Sequence, residues 1–193
     1  MMACKVCPWW LGYLLISPLR KLLQNPEKII APLVHEGMTV VEIGPGMGFF
    51  TLEIAKKVAA SGRVIAIDIQ PKMLEQLEQR AEKGKVRQRI ETRLAKSDSL
   101  GMTDLAEVVD LVFAYAVVHE LPDDRAFFKE AFGVLKRNAA LFIAEPGRHV
   151  SEERFNEELQ KARMEGFEIV ETGHGRQGHT ALLRKGGNGK RLQ

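Results

Sequence analysis

The chain has 193 residues, 45% of them hydrophobic and 27% charged, which is the composition of a globular protein with a sizeable core. Its length predicts a single domain. The 28 basic and 25 acidic residues leave a net charge of +3, which is too small to indicate a nucleic-acid-binding protein by itself.

Cysteine content and apolar runs indicate the compartment. Cys4 and Cys7 are too few for a disulfide framework, so a reducing compartment is expected. The apolar stretch at residues 8–16 is far shorter than the roughly 20 residues that span a bilayer. It also lacks the basic start and the cleavage site of a signal peptide. We therefore expect a cytoplasmic protein without a transmembrane segment.

The two ends of the chain differ from its middle. Residues 1–26 predict a helical extension with a break near Ser17-Pro18, and Asn25 is predicted to cap a helix that starts at Pro26. Residues 27–185 form the predicted main domain. Residues 186–193 are rich in glycine and basic residues and predict a flexible tail.

Between these ends, short apolar runs alternate with helical patterns. Strands are predicted at residues 39–43, 63–67, 89–95, 110–114, 140–144, 167–171 and 180–184. Helices are predicted at residues 51–60, 71–83, 123–135 and 152–165, with Gly62 and Gly166 as stop signals. This alternation predicts an open, mostly parallel sheet with helices on both faces. The last two strands have a short connection, which predicts an antiparallel pair at one edge.

The stretch VEIGPGMGFFT follows the first predicted strand. Gly44 and Gly46 permit a tight turn that a ligand can approach without a Cβ in the way. A dinucleotide-binding fingerprint requires glycine at the position of Phe49, because a pyrophosphate rests there. No phosphate-binding loop of the G-x-x-x-x-G-K-[ST] type occurs either. The turn therefore favours a ligand without phosphate, with an unliganded turn as the alternative.

Two aspartates follow the second and third predicted strands. Asp68, in VIAIDIQPKML, is placed to accept both hydroxyls of a ribose, or alternatively to cap the helix at Pro71. Asp98, in KSDSL, is placed to meet an adenine amino group, or alternatively to cap a loop. The glycine turn and both aspartates together indicate a nucleoside site more strongly than any one of them.

Taken together, these stretches resemble the motifs of class I S-adenosylmethionine (SAM)-dependent methyltransferases. VVEIGPGMGFFT is similar to the first motif, VIAIDIQPKML to the second, KSDSL to the adenine-binding loop, DLVFAYAVVHEL to the fourth-strand segment and LKRNAALFIAEP to the fifth-strand motif. The likeness covers roughly residues 27–185 and includes small enzymes related to the ubiquinone and menaquinone C-methyltransferases. It implies a Rossmann-like α/β fold whose seven-stranded sheet ends in an antiparallel strand, with SAM as cofactor and S-adenosylhomocysteine (SAH) as product.

The resemblance also implies residue roles. Gly44, Gly46 and Gly48 would pass beneath the methionine part of SAM, and Glu42 would hold its ammonium group or the loop. Pro45 departs from the family's usual alanine, serine or cysteine, although close relatives have GPG. The remaining implied cofactor contacts are Asp68 to the ribose, Ile69 and Met73 beside the adenine, Asp98 and Ser99 in the adenine loop, and Ala114 and Tyr115 at the methyl end.

Methyl transfer needs positioning and, for some acceptors, removal of a proton. Tyr115 and His119 are the candidate catalytic residues, and Glu120 adjoins them. His119 is the better base because imidazole titrates near neutral pH; the alternative is a histidine that caps or packs a loop. His149 follows the fifth predicted strand and is a weaker candidate, whereas His174 and His179 are interpreted as surface residues.

The N-terminal segment bears on the acceptor. In enzymes of the resembled type such a segment covers the acceptor pocket, and here Trp9, Trp10, Tyr13 and Leu14 would supply an aromatic wall or simply core packing. Cys4 and Cys7 are too few for a full zinc site, so no metal is expected. Two thiolates could hold a soft metalloid, with incidental thiols as the alternative.

The sequence therefore predicts a SAM-dependent methyltransferase acting on a small molecule, with no nucleic-acid partner. The acceptor could be hydrophobic, a thiol or a metalloid. Alternatives are an RNA or protein methyltransferase, which commonly has an added recognition domain or basic face, and a SAM-binding module without catalysis. A nicotinamide-dependent reductase is disfavoured by Phe49.

Overall fold

The computed structural model describes residues 24–96, 99–175 and 178–186. These residues fall into two compact units, an N-terminal unit of residues 24–96 and a C-terminal unit of residues 99–186. Residues 1–23, which make up most of the predicted helical extension, lie outside the described residues. So do Asp98 and the predicted tail beyond residue 186.

The strands form a seven-stranded, mostly parallel sheet. They are β1 (Thr39–Ile43), β2 (Arg63–Asp68), β3 (Ile90–Leu94), β4 (Val109–Tyr115), β5 (Leu135–Pro146), β6 (Phe167–Gly175) and β7 (Gly178–Lys185). Their order in the sheet is β3-β2-β1-β4-β5-β7-β6. β7 is antiparallel to both β5 and β6, whereas β1–β2, β2–β3 and β4–β5 are parallel pairs. The predicted Rossmann-like sheet with an antiparallel last strand is confirmed.

Helices accompany these strands along the chain. They are α1 (Pro26–Ile30), α2 (Thr51–Lys57), α3 (Pro71–Lys83), α4 (Asp124–Val134) and α5 (Glu152–Met164). The predicted cap of α1 is confirmed, because the Asn25 side chain accepts hydrogen bonds from the backbone N–H groups of Glu27 and Lys28. The bounds of α3 agree with the predicted helix, which begins with proline where no N–H donor is needed.

In the N-terminal unit, β1 and β2 are buried because they consist largely of β-branched and small apolar residues. Val40 and Val41 of β1 and Val64 and Ile65 of β2 have no exposed surface, as expected for parallel strands. α3 turns its apolar residues inward, namely Met73, Leu74, Leu77 and Ala81. The spacing of these residues is that of one helix face.

In the C-terminal unit, β4 is the most buried strand, and the interior of its run is apolar as predicted. Phe127 and Phe128 of α4 and Phe155 of α5 are also buried. Asp123 caps α4 by accepting from the N–H of Ala126, and Ser151 caps α5 in the same way. These caps determine where α4 and α5 begin.

The predicted end of α2 was wrong. The helix stops at Lys57, three residues before the predicted end at residue 60. Ala59 adopts a left-handed φ of 58°, which a continuing helix does not allow. Gly62 lies beyond the helix, where an added Cβ would come within 2.6 Å of the Met38 carbonyl oxygen. The glycine therefore serves close packing of the backbone and does not stop the helix.

The predicted start of the fifth strand was also wrong. β5 begins at Leu135 immediately after α4, five residues earlier than expected. Val109 pairs with Leu135 and Leu111 with Ala140, so the register shifts between them. Asn138 lies inside this irregularity with φ 62°. Residues 136–139 have no strand pattern in the sequence, and the paired residues on either side of them place them within the strand.

Among the described residues, no helix combines the length and the apolar character that crossing a bilayer requires.

Candidate functional site

The glycine turn joins β1 to α2 and has three residues in left-handed conformation. Gly44, Gly46 and Gly48 have φ angles of 66°, 55° and 82°. A Cβ built on Gly46 would meet no atom within 4 Å, whereas one built on Gly48 would run into the Leu77 side chain of α3. Gly46 thus leaves a backbone face open, and Gly48 permits close packing of α3. Pro45 is buried, and its carbonyl accepts from the N–H of Gly48 at 2.9 Å.

An arginine on α3 binds the backbone of the turn. The Arg80 guanidinium donates a hydrogen bond to the carbonyl of buried Met47, and burial lowers the pKa of Arg80. Sequence reasoning missed this residue. Its spacing from Met73 and Leu77 on α3 is the signal that could have identified it as facing the turn.

Asp68, the last residue of β2, contacts the turn directly. One of its oxygens, Oδ2, accepts from the N–H of Gly46 at 3.1 Å, and Oδ1 accepts from the N–H of Gln70 at 2.9 Å. The side chain is 8% exposed. Burial raises the pKa of Asp68, although the backbone donors of Gln70 and Gly46 oppose that rise. The N–H of Ile69 also lowers the pKa of Asp68, so the backbone supplies three donors to a carboxylate that can accept about four.

Glu42, on β1, is a buried carboxyl group with an orphaned oxygen. The residue is 2% exposed, and its Oε2 has no hydrogen-bond partner among the described residues. Burial is the main cause that raises the pKa of Glu42 to about 8, and the charge of Asp68 adds to it. At neutral pH this group is therefore a protonated acid that would ionise beside a cation.

The residues predicted to flank the adenine differ in exposure. Ile69 directly follows β2 and is 47% exposed, whereas Met73 is buried in α3. An exposed isoleucine next to Asp68 leaves an apolar surface uncovered in the N-terminal unit. The N-terminal unit therefore contains the open backbone face of Gly46, carboxylate oxygens of Asp68 that can accept hydrogen bonds from hydroxyl groups, the protonated carboxyl group of Glu42 and the apolar side chain of Ile69. These groups suit a nucleoside that carries a cationic group.

The predicted adenine loop is described only in part. Asp98 lies outside the described residues. Ser99 accepts a hydrogen bond from the N–H of Gly101 at 3.0 Å, so its hydroxyl stabilises the local turn. Ala114 is buried at the end of β4, and Tyr115 is half-buried with its ring stacked on Phe113 at a centroid distance of 6.3 Å.

His119 lies in a short 3₁₀ turn after β4 and is bound to a buried glutamate of β5. Its Nδ1 is hydrogen-bonded to Oε2 of Glu145, while Oε1 of Glu145 accepts from the N–H of Val118 at 2.8 Å. The segment leaves β4 through Ala116, which has a left-handed φ of 56° and donates to the Ala144 carbonyl at 2.7 Å. Backbone strain of this kind clusters at functional sites.

Further charges surround the imidazole. Burial alone would lower the pKa of His119, but the hydrogen bond and charge of Glu145, with smaller effects of Glu120 and Glu158, outweigh it and raise that pKa. The His149 ring stacks on His119 with centroids 5.5 Å apart. Arg154 of α5 donates to the His119 carbonyl at 3.4 Å. His149 therefore packs beside His119, and a role for it at the acceptor stays a prediction.

Glu145 and Glu158 were missed by sequence reasoning. Glu145 ends the fifth-strand motif, and a carboxylate that follows a buried strand was the available signal. Glu158 is 1% exposed, and neither of its oxygens has a hydrogen-bond partner among the described residues. In sequence it is one acidic residue among several on α5, and nothing local distinguishes it.

His174 and His179 face each other across the β6–β7 pair, with Nδ1 atoms 3.0 Å apart. His179 also stacks on Phe155. Across the described ranges, no group of three or more histidine, cysteine or acidic side chains is placed to hold a metal ion. Cys4 and Cys7 lie outside the described residues.

Comparisons with known proteins place this geometry in context. A family model described as "Methyltransferase domain" matches residues 34–187. An arsenite methyltransferase of Halobacterium salinarum is 28% identical over 121 residues, a match that covers 63% of this chain but only 30% of that protein.

Solved structures share the fold. A SAM-dependent methyltransferase from Aquifex aeolicus superposes with a TM-score of 0.82 at 24% identity, covering 93% of this chain and all of that one. An arsenic(III) SAM methyltransferase from Chlamydomonas reinhardtii superposes with a TM-score of 0.65 at 18% identity, covering 84% and 67% of the two chains. At these identities the likeness establishes the fold alone.

Proposed function

The chain belongs to the methyltransferase-domain family, and from this premise we propose that it methylates a small-molecule acceptor. It is a SAM-dependent methyltransferase, with SAM as cofactor and SAH as product. The observation that carries the proposal is the contact between Asp68 and Gly46, which joins a carboxylate to an open glycine turn.

The residues of the N-terminal unit fit SAM on three counts. The open face of Gly46 admits the methionine part close to the backbone, and a Cβ there would occupy that space. Asp68 retains acceptor capacity beside its backbone donors, and we assign it to the ribose hydroxyls. The orphaned oxygen of Glu42 suits the ammonium group. We assign Ile69 and Met73 to the adenine, as the resemblance implies.

The cofactor supplies an electrophilic methyl group on a positively charged sulfur. The chain's own residues then orient the acceptor, exclude water and remove a proton where the acceptor has one. We assign proton removal to His119, because Glu145 holds its Nδ1 and thereby leaves Nε2 as the acceptor atom. Asp98, Ser99, Ala114 and Tyr115 keep the roles that the resemblance implies.

A substitution at Asp68 tests the cofactor assignment. Asp68→Asn keeps the shape but replaces one acceptor oxygen with a donor, so we expect SAM and SAH to bind roughly 10- to 100-fold more weakly, the effect of a charge-assisted hydrogen bond. Isothermal titration calorimetry measures this. Glu75→Gln, at an exposed position of α3, is the matched control. Unchanged affinity in Asp68→Asn would contradict the assigned role.

A metalloid acceptor is the second candidate. It is favoured by the names of two similar proteins, the arsenite methyltransferase and the arsenic(III) methyltransferase, together with the Cys4-x-x-Cys7 pair of this chain. Incubation with labelled SAM, arsenite and a thiol tests it. If the wild type forms methylated arsenic and the Cys4→Ser/Cys7→Ser variant does not, the metalloid candidate is supported. If the wild type forms no methylated arsenic, the metalloid candidate is contradicted.

A turnover assay distinguishes an active enzyme from a SAM-binding module without catalysis. Labelled SAM mixed with a cell metabolite extract should yield a labelled small molecule. Binding of SAM without label in any product would support a module that has lost catalysis. Label in RNA or protein added as a control would support a macromolecular acceptor.

A further inference from the structure

We propose that His119, Glu145 and Glu158 act as one proton-accepting unit, so that the acceptor is a hydroxyl compound that loses its proton during methyl transfer. This inference rests on the proposed function and narrows its substrate class. It assigns positioning roles to Glu145 and Glu158 and a catalytic role to His119.

Glu145 determines the direction in which His119 accepts a proton. Its side chain has no exposed surface, and its two oxygens bind the Val118 N–H and the His119 Nδ1. A carboxylate only accepts, so Nδ1 carries the hydrogen and Nε2 carries the lone pair. The His119 side chain is still 13% exposed. Its Nε2 lies 4.0 Å from Oε1 of Glu120, so the ring is held at Nδ1 and faces a second carboxyl group at Nε2.

Glu158 adds a second titratable carboxyl group, linked to this pair through Arg154, which also donates to the His119 carbonyl. Burial raises the pKa of Glu158 to about 7, and the charge of Glu145 contributes to the same shift. Arg154, whose Nε lies 3.6 Å from Oε1 of Glu158, opposes it. Asp124 of α4 also raises the pKa of Glu158, but it is itself paired with Lys161 at 2.6 Å.

Methyl acceptors differ in whether they need a base to remove a proton during methyl transfer. A metalloid attacks with a lone pair and gives up no proton. A thiol ionises by itself near pH 8.5, whereas phenolic hydroxyls ionise near pH 10. Among these three acceptors, a strengthened imidazole base therefore matters most for a hydroxyl.

The step balances without another reactant. The oxygen of the acceptor uses an electron pair to form the O–CH₃ bond, and the electron pair of the breaking C–S bond remains on sulfur. The O–H proton passes to Nε2 of His119. The positive charge lost at sulfur thus appears on the imidazolium, beside Glu145 and, once ionised, Glu158.

Product identification tests the substrate class. Methyl-labelled SAM and a metabolite extract are incubated with the protein, and mass spectrometry and NMR identify the methylated atom. An O-methyl product supports the inference, whereas an S-methyl, N-methyl, C-methyl or arsenic-methyl product overturns it while leaving the proposed function intact. Absence of any labelled product, despite SAM binding, contradicts the proposed function itself.

Variants of Glu145 and Glu158 test the proton-accepting unit without knowledge of the acceptor. NMR of histidine-labelled protein should show that Glu158→Gln lowers the pKa of His119, because an ionised carboxylate no longer faces it, and that Glu145→Gln lowers it further. Glu157→Gln, at an exposed position of the same helix, should leave it unchanged. An unchanged His119 pKa in Glu158→Gln overturns the tuning role.

With the identified acceptor, the pH profile should change in the same direction. The wild-type kcat/KM should rise as His119 loses its proton, and Glu158→Gln should move that rise to lower pH. His119→Ala should reduce kcat by roughly 10²- to 10⁴-fold, the usual contribution of a general base, while SAM affinity stays the same. A purely structural histidine would leave the position of the pH profile unmoved.

Discussion

Replacing Glu42 with glutamine should make the protein more stable at neutral and alkaline pH. The carboxyl group is 2% exposed, and burial raises its pKa from 4.5 to about 8. A group whose folded-state pKa is raised stabilises the protein most below its unfolded pKa, and that contribution is lost as the pH rises toward the folded pKa. Each pKa unit by which the folded and unfolded states differ corresponds to about 1.4 kcal/mol in the free energy of unfolding.

The size of the effect follows from these two values. Between about pH 4.5 and pH 7 the unfolded chain ionises Glu42 while the folded chain does not, so the free energy of unfolding falls by about 3 kcal/mol. Above pH 8 the decrease in the free energy of unfolding levels off at about 5 kcal/mol. Glu42→Gln removes this dependence because an amide does not titrate.

Urea denaturation at a series of pH values measures the difference between wild type and Glu42→Gln. Titrating groups that do not interact with Glu42 contribute equally to both proteins and cancel at each pH. Glu36→Gln, an exposed position, should show no such trend. A difference that stays constant from pH 5 to pH 9 would refute the reasoning, because Glu42 would then titrate alike in both states.

The same carboxyl group should couple cofactor binding to proton release. If the ammonium group of SAM lies beside Glu42, binding lowers the pKa of Glu42 and expels its proton near pH 7. Calorimetry in buffers of different ionisation enthalpy would detect this release with SAM and with SAH. Glu42→Gln should abolish it, and equal proton release in both proteins would contradict the contact.

Two glycines and one cap give further predictions. Gly46→Ala should weaken SAM binding and reduce stability by about 1–2 kcal/mol, because its Cβ enters the open face and the backbone is left-handed. Gly48→Ala should reduce stability by about 1–3 kcal/mol beyond that, because its Cβ collides with the buried side chain of Leu77. Thermal and urea denaturation would compare the pair, and equal stability losses would contradict the packing difference. Asn25→Ala should reduce stability by about 1 kcal/mol through the lost cap, and no change would show that α1 contributes little.

The glycine turn and Asp68 of the N-terminal unit could be predicted because their determinants are local in sequence. The turn lies between an apolar strand and a helix, and Asp68 ends the next strand, so composition and spacing suffice to place both. α3 was predicted correctly because Pro71 starts it and its apolar residues recur on one face. The structure adds the hydrogen bond between Gly46 and Asp68, which residue types alone do not reveal.

The cluster of His119, Glu145 and Glu158 in the C-terminal unit depends on long-range contacts. His119 and Glu145 are 26 positions apart, and their pairing follows from the register of β5 beside β4, which includes an irregularity that no local pattern indicated. Glu158 becomes unusual only when α5 packs and removes its carboxyl group from water. Sequence by itself determined the order of strands, helices and turns, because backbone preferences and apolar periodicity act over a few residues. Only the tertiary structure decided which carboxyl groups are buried and beside which partners, because desolvation depends on packing between distant segments.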